Sequence, residues 1–61
     1  MPSYRIEIED DESAILFKDN RYVQEFDELD DAERHLRHLE GRGAEYTLVD
    51  VDGYRDQRRL R

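Results

Sequence analysis

The chain has 61 residues, 36% hydrophobic and 44% charged, with no cysteine and a formal net charge of −7. That length makes residues 1–61 a single small domain, close to the lower limit at which a chain buries enough apolar surface to fold unaided. The lack of cysteine excludes disulfide staples and thiolate zinc sites, so support beyond the core must come from tight packing or a partner chain.

Charge is divided unevenly along the chain. Residues 1–33 hold twelve acids against three bases, a net −9, and residues 34–61 hold five acids against seven arginines, a net +2. Such asymmetry speaks to partners and solubility and says nothing about fold. Met1-Pro2-Ser3-Tyr4-Arg5 offers no apolar run of signal-peptide type, and no segment nears the roughly 20 apolar residues that span a bilayer. A soluble, cytoplasmic protein without membrane contact is therefore expected.

In chain order, residues 3–9 alternate, with Tyr4, Ile6 and Ile8 on one side and Arg5, Glu7 and Glu9 on the other, the pattern of a half-buried strand. Asp10-Asp11-Glu12-Ser13 breaks the alternation as a turn. Ala14 to Phe17 is a short apolar run, and Tyr22 to Phe26 resumes an extended pattern. With Asp19 and Asn20 as central turn residues, Phe17 lies opposite Tyr22 and Leu16 opposite Val23, which favours a hairpin. The rival is one bent strand over residues 14–26 with Asp19-Asn20 as a bulge.

Leu29, Ala32, Leu36 and Leu39 recur at steps of three, four and three, forming the apolar stripe of an amphipathic helix. Asp27 is placed as its N-cap, and Glu28, Asp30 and Asp31 bring negative charge to its first turn. Asp30 with Arg34 and Glu33 with Arg37 are acid-before-base pairs at four-residue spacing. Gly41 and Gly43 end the helix near residue 40. Beyond them Glu45 to Val51 is β-rich, and Asp52-Gly53 signals a type I′ hairpin pairing Val51 with Tyr54 and Asp50 with Arg55. The returning strand, Tyr54 to Leu60, is polar on both faces, so an edge strand with a frayed end over residues 58–61 is expected.

Hairpins on either side of one amphipathic helix predict an α+β fold: a two-layer sandwich whose antiparallel sheet of four to five strands, in the order ββ(β)αββ, carries the helix on one face. Some apolar strand residues must then lie on the uncovered face, either modestly exposed or buried in a homodimer seam or partner interface.

Chemistry-bearing motifs are sparse. Asp31, His35 and His38 share one side of the helix but lack a fourth ligand, so two solvated histidines are expected and no metal or cofactor. Asp50-Val51-Asp52-Gly53 lacks the further acids of a calcium loop. Without a cysteine nucleophile, a phosphate loop or the volume for a sheltered cleft, the reading is of a protein that is not an enzyme. Tyr54, Arg55, Arg58 and Arg59 could contact nucleic acid, although direct binding is opposed by the overall negative field. The most distinctive feature is a pair of carboxylate clusters that could lie on one side: Glu7, Glu9, Asp10, Asp11 and Glu12 from a strand and its turn, and Glu25, Asp27, Glu28, Asp30, Asp31 and Glu33 from the helix N-terminus. Of these, Glu9, Asp10, Asp11, Glu12, Asp27, Glu28, Asp30 and Asp31 are the expected partner-binding residues. A rigid array of that kind can occupy a basic protein surface built for nucleic acid. The leading expectation is therefore a non-enzymatic protein–protein interaction module, in its sharpest form a nucleic-acid mimic. In size and charge, with no motif behind it, the chain resembles small phage-borne inhibitors of defence systems. Its alternatives are a small nucleic-acid-binding protein using the arginine-rich strand, and a salt-adapted acidic microprotein.

Overall fold

A computed structural model describes residues 2–61. Five strands and one helix follow in the order β1 (Tyr4–Ile8), β2 (Ala14–Lys18), β3 (Arg21–Phe26), α1 (Leu29–Glu40), β4 (Glu45–Val49) and β5 (Arg55–Arg59). The expected α+β architecture holds, with α1 packed on one face of a sheet ordered β3-β2-β1-β4-β5. The sheet is mixed, which corrects the all-antiparallel expectation: β1 and β4 run parallel, Arg5 opposite Thr47 and Glu7 opposite Val49. The cause is the connection. A hairpin can only reverse direction, whereas α1 carries the chain back to the end of the sheet where β3 began, so β4 starts alongside β1 and in its direction.

The β2–β3 hairpin forms as the turn residues require. Asp19 and Asn20 both adopt left-handed backbone, φ 51° and 66°, the geometry of a two-residue primed turn. Phe17 pairs with Tyr22, and their rings meet edge to face at 6.4 Å. The next expected pair does not form, because a bulge after Tyr22 sets Leu16 opposite Gln24 and leaves Val23 without a cross-strand partner. The second hairpin also shifts by one residue, pairing Val49 with Arg55 and Leu48 with Asp56. Here the loop has three residues: Gly53 N–H donates to the Asp50 carbonyl at 2.9 Å, Asp50 N–H donates to that of Tyr54 at 3.0 Å, and Gly53 takes φ 88°. A type I turn closed by a left-handed residue is the usual three-residue alternative to a primed turn. The slip matters because it exchanges the two faces of β5.

The core lies between α1 and the even-numbered residues of the central strands. Ile6, Ala14, Leu16, Ala32 and Leu36 are fully buried, with Tyr4, Tyr46, Leu48 and Leu60 nearly so. Leu39, expected in the stripe, is 47% exposed and lies outside this cluster. The N-cap is Glu28 rather than Asp27, in extended backbone and with no side-chain cap bond, and Gly41 closes the other end by donating to the Arg37 carbonyl at 2.7 Å. Arg34 pairs with Asp31 at 3.1 Å, not with Asp30, and Glu33 turns to Tyr46 instead of Arg37. Residues 58–61, expected as a frayed end, include the last two residues of β5 and the buried Leu60. Leu60 donates its N–H to the Ala44 carbonyl, 2.8 Å, and accepts from Gly43, 3.1 Å.

Truncating a fully buried leucine leaves a cavity and costs about 2–5 kcal/mol, most of what a domain of this size has. Leu36→Ala should therefore leave the chain largely unfolded in urea titrations followed by circular dichroism, while Leu39→Ala should shift the midpoint only slightly.

Candidate functional site

The turns and helix ends decide where charge collects. Because β1, β3 and β4 all run the same way, their C-terminal ends meet at one end of the sheet, and α1 begins there. That end gathers Glu9, Asp10, Asp11 and Glu12 from the β1–β2 turn, and Glu25, Asp27 and Glu28 from the end of β3 and its exit. Asp30 and Asp31 from the first helical turn and Asp50 and Asp52 from the β4–β5 turn complete it: eleven carboxylates against two bases, Arg55 and the Arg34 that pairs with Asp31. The opposite end holds Lys18, Arg21, Arg37, Arg42, Arg58, Arg59 and Arg61 against Asp19, Glu40 and Glu45, seven bases against three acids. The division along the chain thus becomes a sharper division in space. Five-residue strands separate the poles by about 17 Å, beyond the roughly 8–10 Å over which salt screens exposed charge.

The acidic end is fixed by local bonds. The Ser13 side chain, buried at 8% exposure, donates to Asp11 Oδ1 at 2.6 Å and lies 3.3 Å from Glu25 Oε2, so it ties the β1–β2 turn to β3. The hydroxyl and backbone N–H of Ser13, both donated to Asp11, hold that carboxyl below the ordinary aspartate range. Glu12 takes φ 69°, the left-handed position that Gly53 fills in the matching loop of the other hairpin. Non-glycine residues reach that region at a cost of about 1–2 kcal/mol, so a charged residue stands where glycine would be easier. All eight residues expected at a partner surface, Glu9, Asp10, Asp11, Glu12, Asp27, Glu28, Asp30 and Asp31, lie at this end. Glu25 belongs to the second cluster by its spacing, but sequence reasoning did not place Asp50 and Asp52 with the two clusters, since only the strand order brings the β4–β5 turn beside them.

The arginine-rich strand is arranged differently from the expectation. Tyr54, 76% exposed, and Arg55 sit at the acidic end of the hairpin, whereas Arg58 and Arg59 lie at the basic end and on opposite faces of β5. Arg58 Nε pairs with Asp56 at 3.1 Å, and Arg59 with Glu45. The four residues form no common surface. On the helix, His35 leans on the Phe26 ring at 5.3 Å and is half-buried, not solvated, while His38 is exposed. Among the described residues no three acids or histidines are grouped to hold a metal ion, and no helix is long and apolar enough to cross a membrane.

The uncovered sheet face carries Ile15, Phe17, Tyr22 and Val49 beside polar cross-strand neighbours. Arg5 lies 4.3 Å over the Phe17 ring, with its Nε 2.8 Å from Glu7. Tyr22 stays 63% exposed. On the helix side, a cleft of about 370 Å³ between α1 and the end of β5 is lined by Glu33, Arg37, Arg58, Arg59, Leu60 and Arg61. Tyr46, 2% exposed, donates its hydroxyl to Glu33 next to this cleft. Burial, then the Glu33 bond and the Glu33 charge, push its pKa well above the ordinary tyrosine value. No protein-family model matches the chain, and comparison with curated proteins and with solved structures gives no match.

Tyr46 makes stability fall in alkali. The folded state keeps the phenol protonated while the unfolded chain loses that proton above pH about 10, so its contribution is complete below pH 10 and is lost as pH rises toward the folded pKa. Urea titrations at pH 8 and pH 11 should show wild type losing more stability between them than Tyr46→Phe, which at pH 8 should be weaker by about 1 kcal/mol through the lost hydrogen bond.

Proposed function

We propose that the protein is a non-enzymatic interaction module that presents its acidic end to a basic protein surface, in its sharpest form as a mimic of a nucleic-acid backbone. The observation that carries this reading is the convergence of carboxylates from three separate connections on one end of a sheet, with Ser13 bonded to Asp11 and lying beside Glu25. A fixed array of like charge loses little freedom on binding, and its field speeds encounter with a complementary groove. The twofold division of charge also explains how a small, strongly acidic molecule could dock in one orientation. Cytoplasmic residence belongs to the same reading.

A homodimer through the uncovered sheet face is a second element of the proposal, supported by exposed Tyr22 beside Phe17 and Ile15. Sedimentation equilibrium reads it directly: a dimer that Tyr22→Asp dissociates supports it, and a monomer at high concentration removes it.

Displacement of a labelled DNA duplex from a panel of nucleic-acid-binding proteins tests the main reading. Wild type should displace the duplex from at least one member, with competition weakening steeply between about 50 and 200 mM salt. The variant carrying Asp10→Lys, Asp11→Lys, Asp30→Lys and Asp31→Lys should lose it. Equal competition by that folded variant would contradict the proposal.

A further inference from the structure

Four arginines from distant parts of the chain line the cleft at the basic end: Arg37 from α1, Arg58 and Arg59 from β5, and Arg61 beyond it; of these Arg59 is paired with Glu45. Gathering like charges in this way is unfavourable unless an anion joins them. The acceptors nearby do not match the donors. Glu33 carries the sole carboxylate side chain among the described residues lining the cleft, and it already accepts from Tyr46. Asp56 meets only the Nε of Arg58. The Nε of Arg37 is shielded from solvent and has no hydrogen-bond acceptor among the described residues.

We propose that this cleft binds the phosphate group of a small anion, with Arg37, Arg58 and Arg61 as its donors. A planar guanidinium offers paired N–H groups that match two oxygens of a phosphate, and three such forks approaching from two elements can surround a tetrahedral dianion. The platform is held in place. Leu60, between the two last arginines, is 4% exposed and is bonded through its backbone to Gly43 and Ala44. The local field is favourable although the molecule is acidic overall, because seven bases stand against three acids at this end of the sheet. The cleft's volume of about 370 Å³ suits a ligand of mononucleotide size. A nucleic-acid strand fits less well, since the exposed aromatics that could stack on its bases, Tyr22 and Tyr54, lie at the far edge and far end of the sheet.

Titrating the full chain with inorganic phosphate and separately with adenosine monophosphate, at constant ionic strength and followed by amide NMR, tests the site. Saturable shifts confined to residues 33–37 and 58–61 are expected. Arg37→Gln and Arg58→Gln should each weaken binding by about tenfold or more, while Arg21→Gln and Arg42→Gln, also at the basic end but outside the cleft, should leave it unchanged; dispersed amide spectra confirm that all four are folded. Equal affinity for the two probes supports a site for free phosphate, and tighter monophosphate binding one for a phosphoester. Absence of saturation with both probes, equal weakening by Arg21→Gln, or far stronger binding of a mixed-sequence oligonucleotide than of the monophosphate would overturn the proposal.

Discussion

The parallel pairing of β1 with β4 determines more of this molecule than any other contact. Ile6 and Leu48, opposite each other in that pairing, belong to the same core cluster as Leu36 on the helix above. The two strands join the N-terminal three-stranded meander to the C-terminal hairpin. Were β4 to run the other way, the Asp50 to Asp52 turn would fall at the basic end and the poles would blur. The direction follows from the helix, whose apolar stripe can be buried only by lying back across the sheet. The step from an amphipathic helix to a polarised charge distribution is therefore short: stripe, crossover, parallel strand, sorted turns.

Much of the fold was legible because its signals are local. Alternation at Tyr4, Ile6 and Ile8, the Asp19-Asn20 turn, and the spacing of Leu29, Ala32 and Leu36 each depend on residues a few positions apart, and each formed as expected. The misreadings arose where two local solutions are close in energy. Asp52-Gly53 suits a two-residue turn, yet Asp50 accepts the Asp52 N–H on its side chain at 2.8 Å and stabilises the three-residue loop instead. The bulge at Val23 leaves no mark in the hydrophobic pattern, since Tyr22 and Val23 would suit either face. Leu60 looked like part of a polar tail, but a single apolar residue after an edge strand reached the core through its bonds to the Gly43–Ala44 segment.

The candidate sites divide along the same line. The acid clusters were visible as runs, and their expected partner-binding residues lie together at one end. The arginine cleft was not visible, because Arg37 and Arg58 are separated by the end of α1 and most of the β4–β5 hairpin, and only the packed structure brings them to one cleft. The expected set of Tyr54, Arg55, Arg58 and Arg59 is spread from one end of β5 to the other, because adjacent residues of a strand face opposite ways and five residues run its length. What emerges is a molecule with two electrostatically distinct ends, with carboxylates, two of them bonded to Ser13, gathered at one and arginines at the other.

A nitroxide label on Asp52→Cys, in a chain with no other cysteine, measures the sorting of turns most directly. The parallel arrangement predicts strong paramagnetic broadening of the amides of residues 10–13, in the neighbouring acidic turn, and much weaker broadening of residues 18–21 at the opposite end. The reverse pattern would mean that β4 runs antiparallel to β1, and the gathering of carboxylates at one end would not stand.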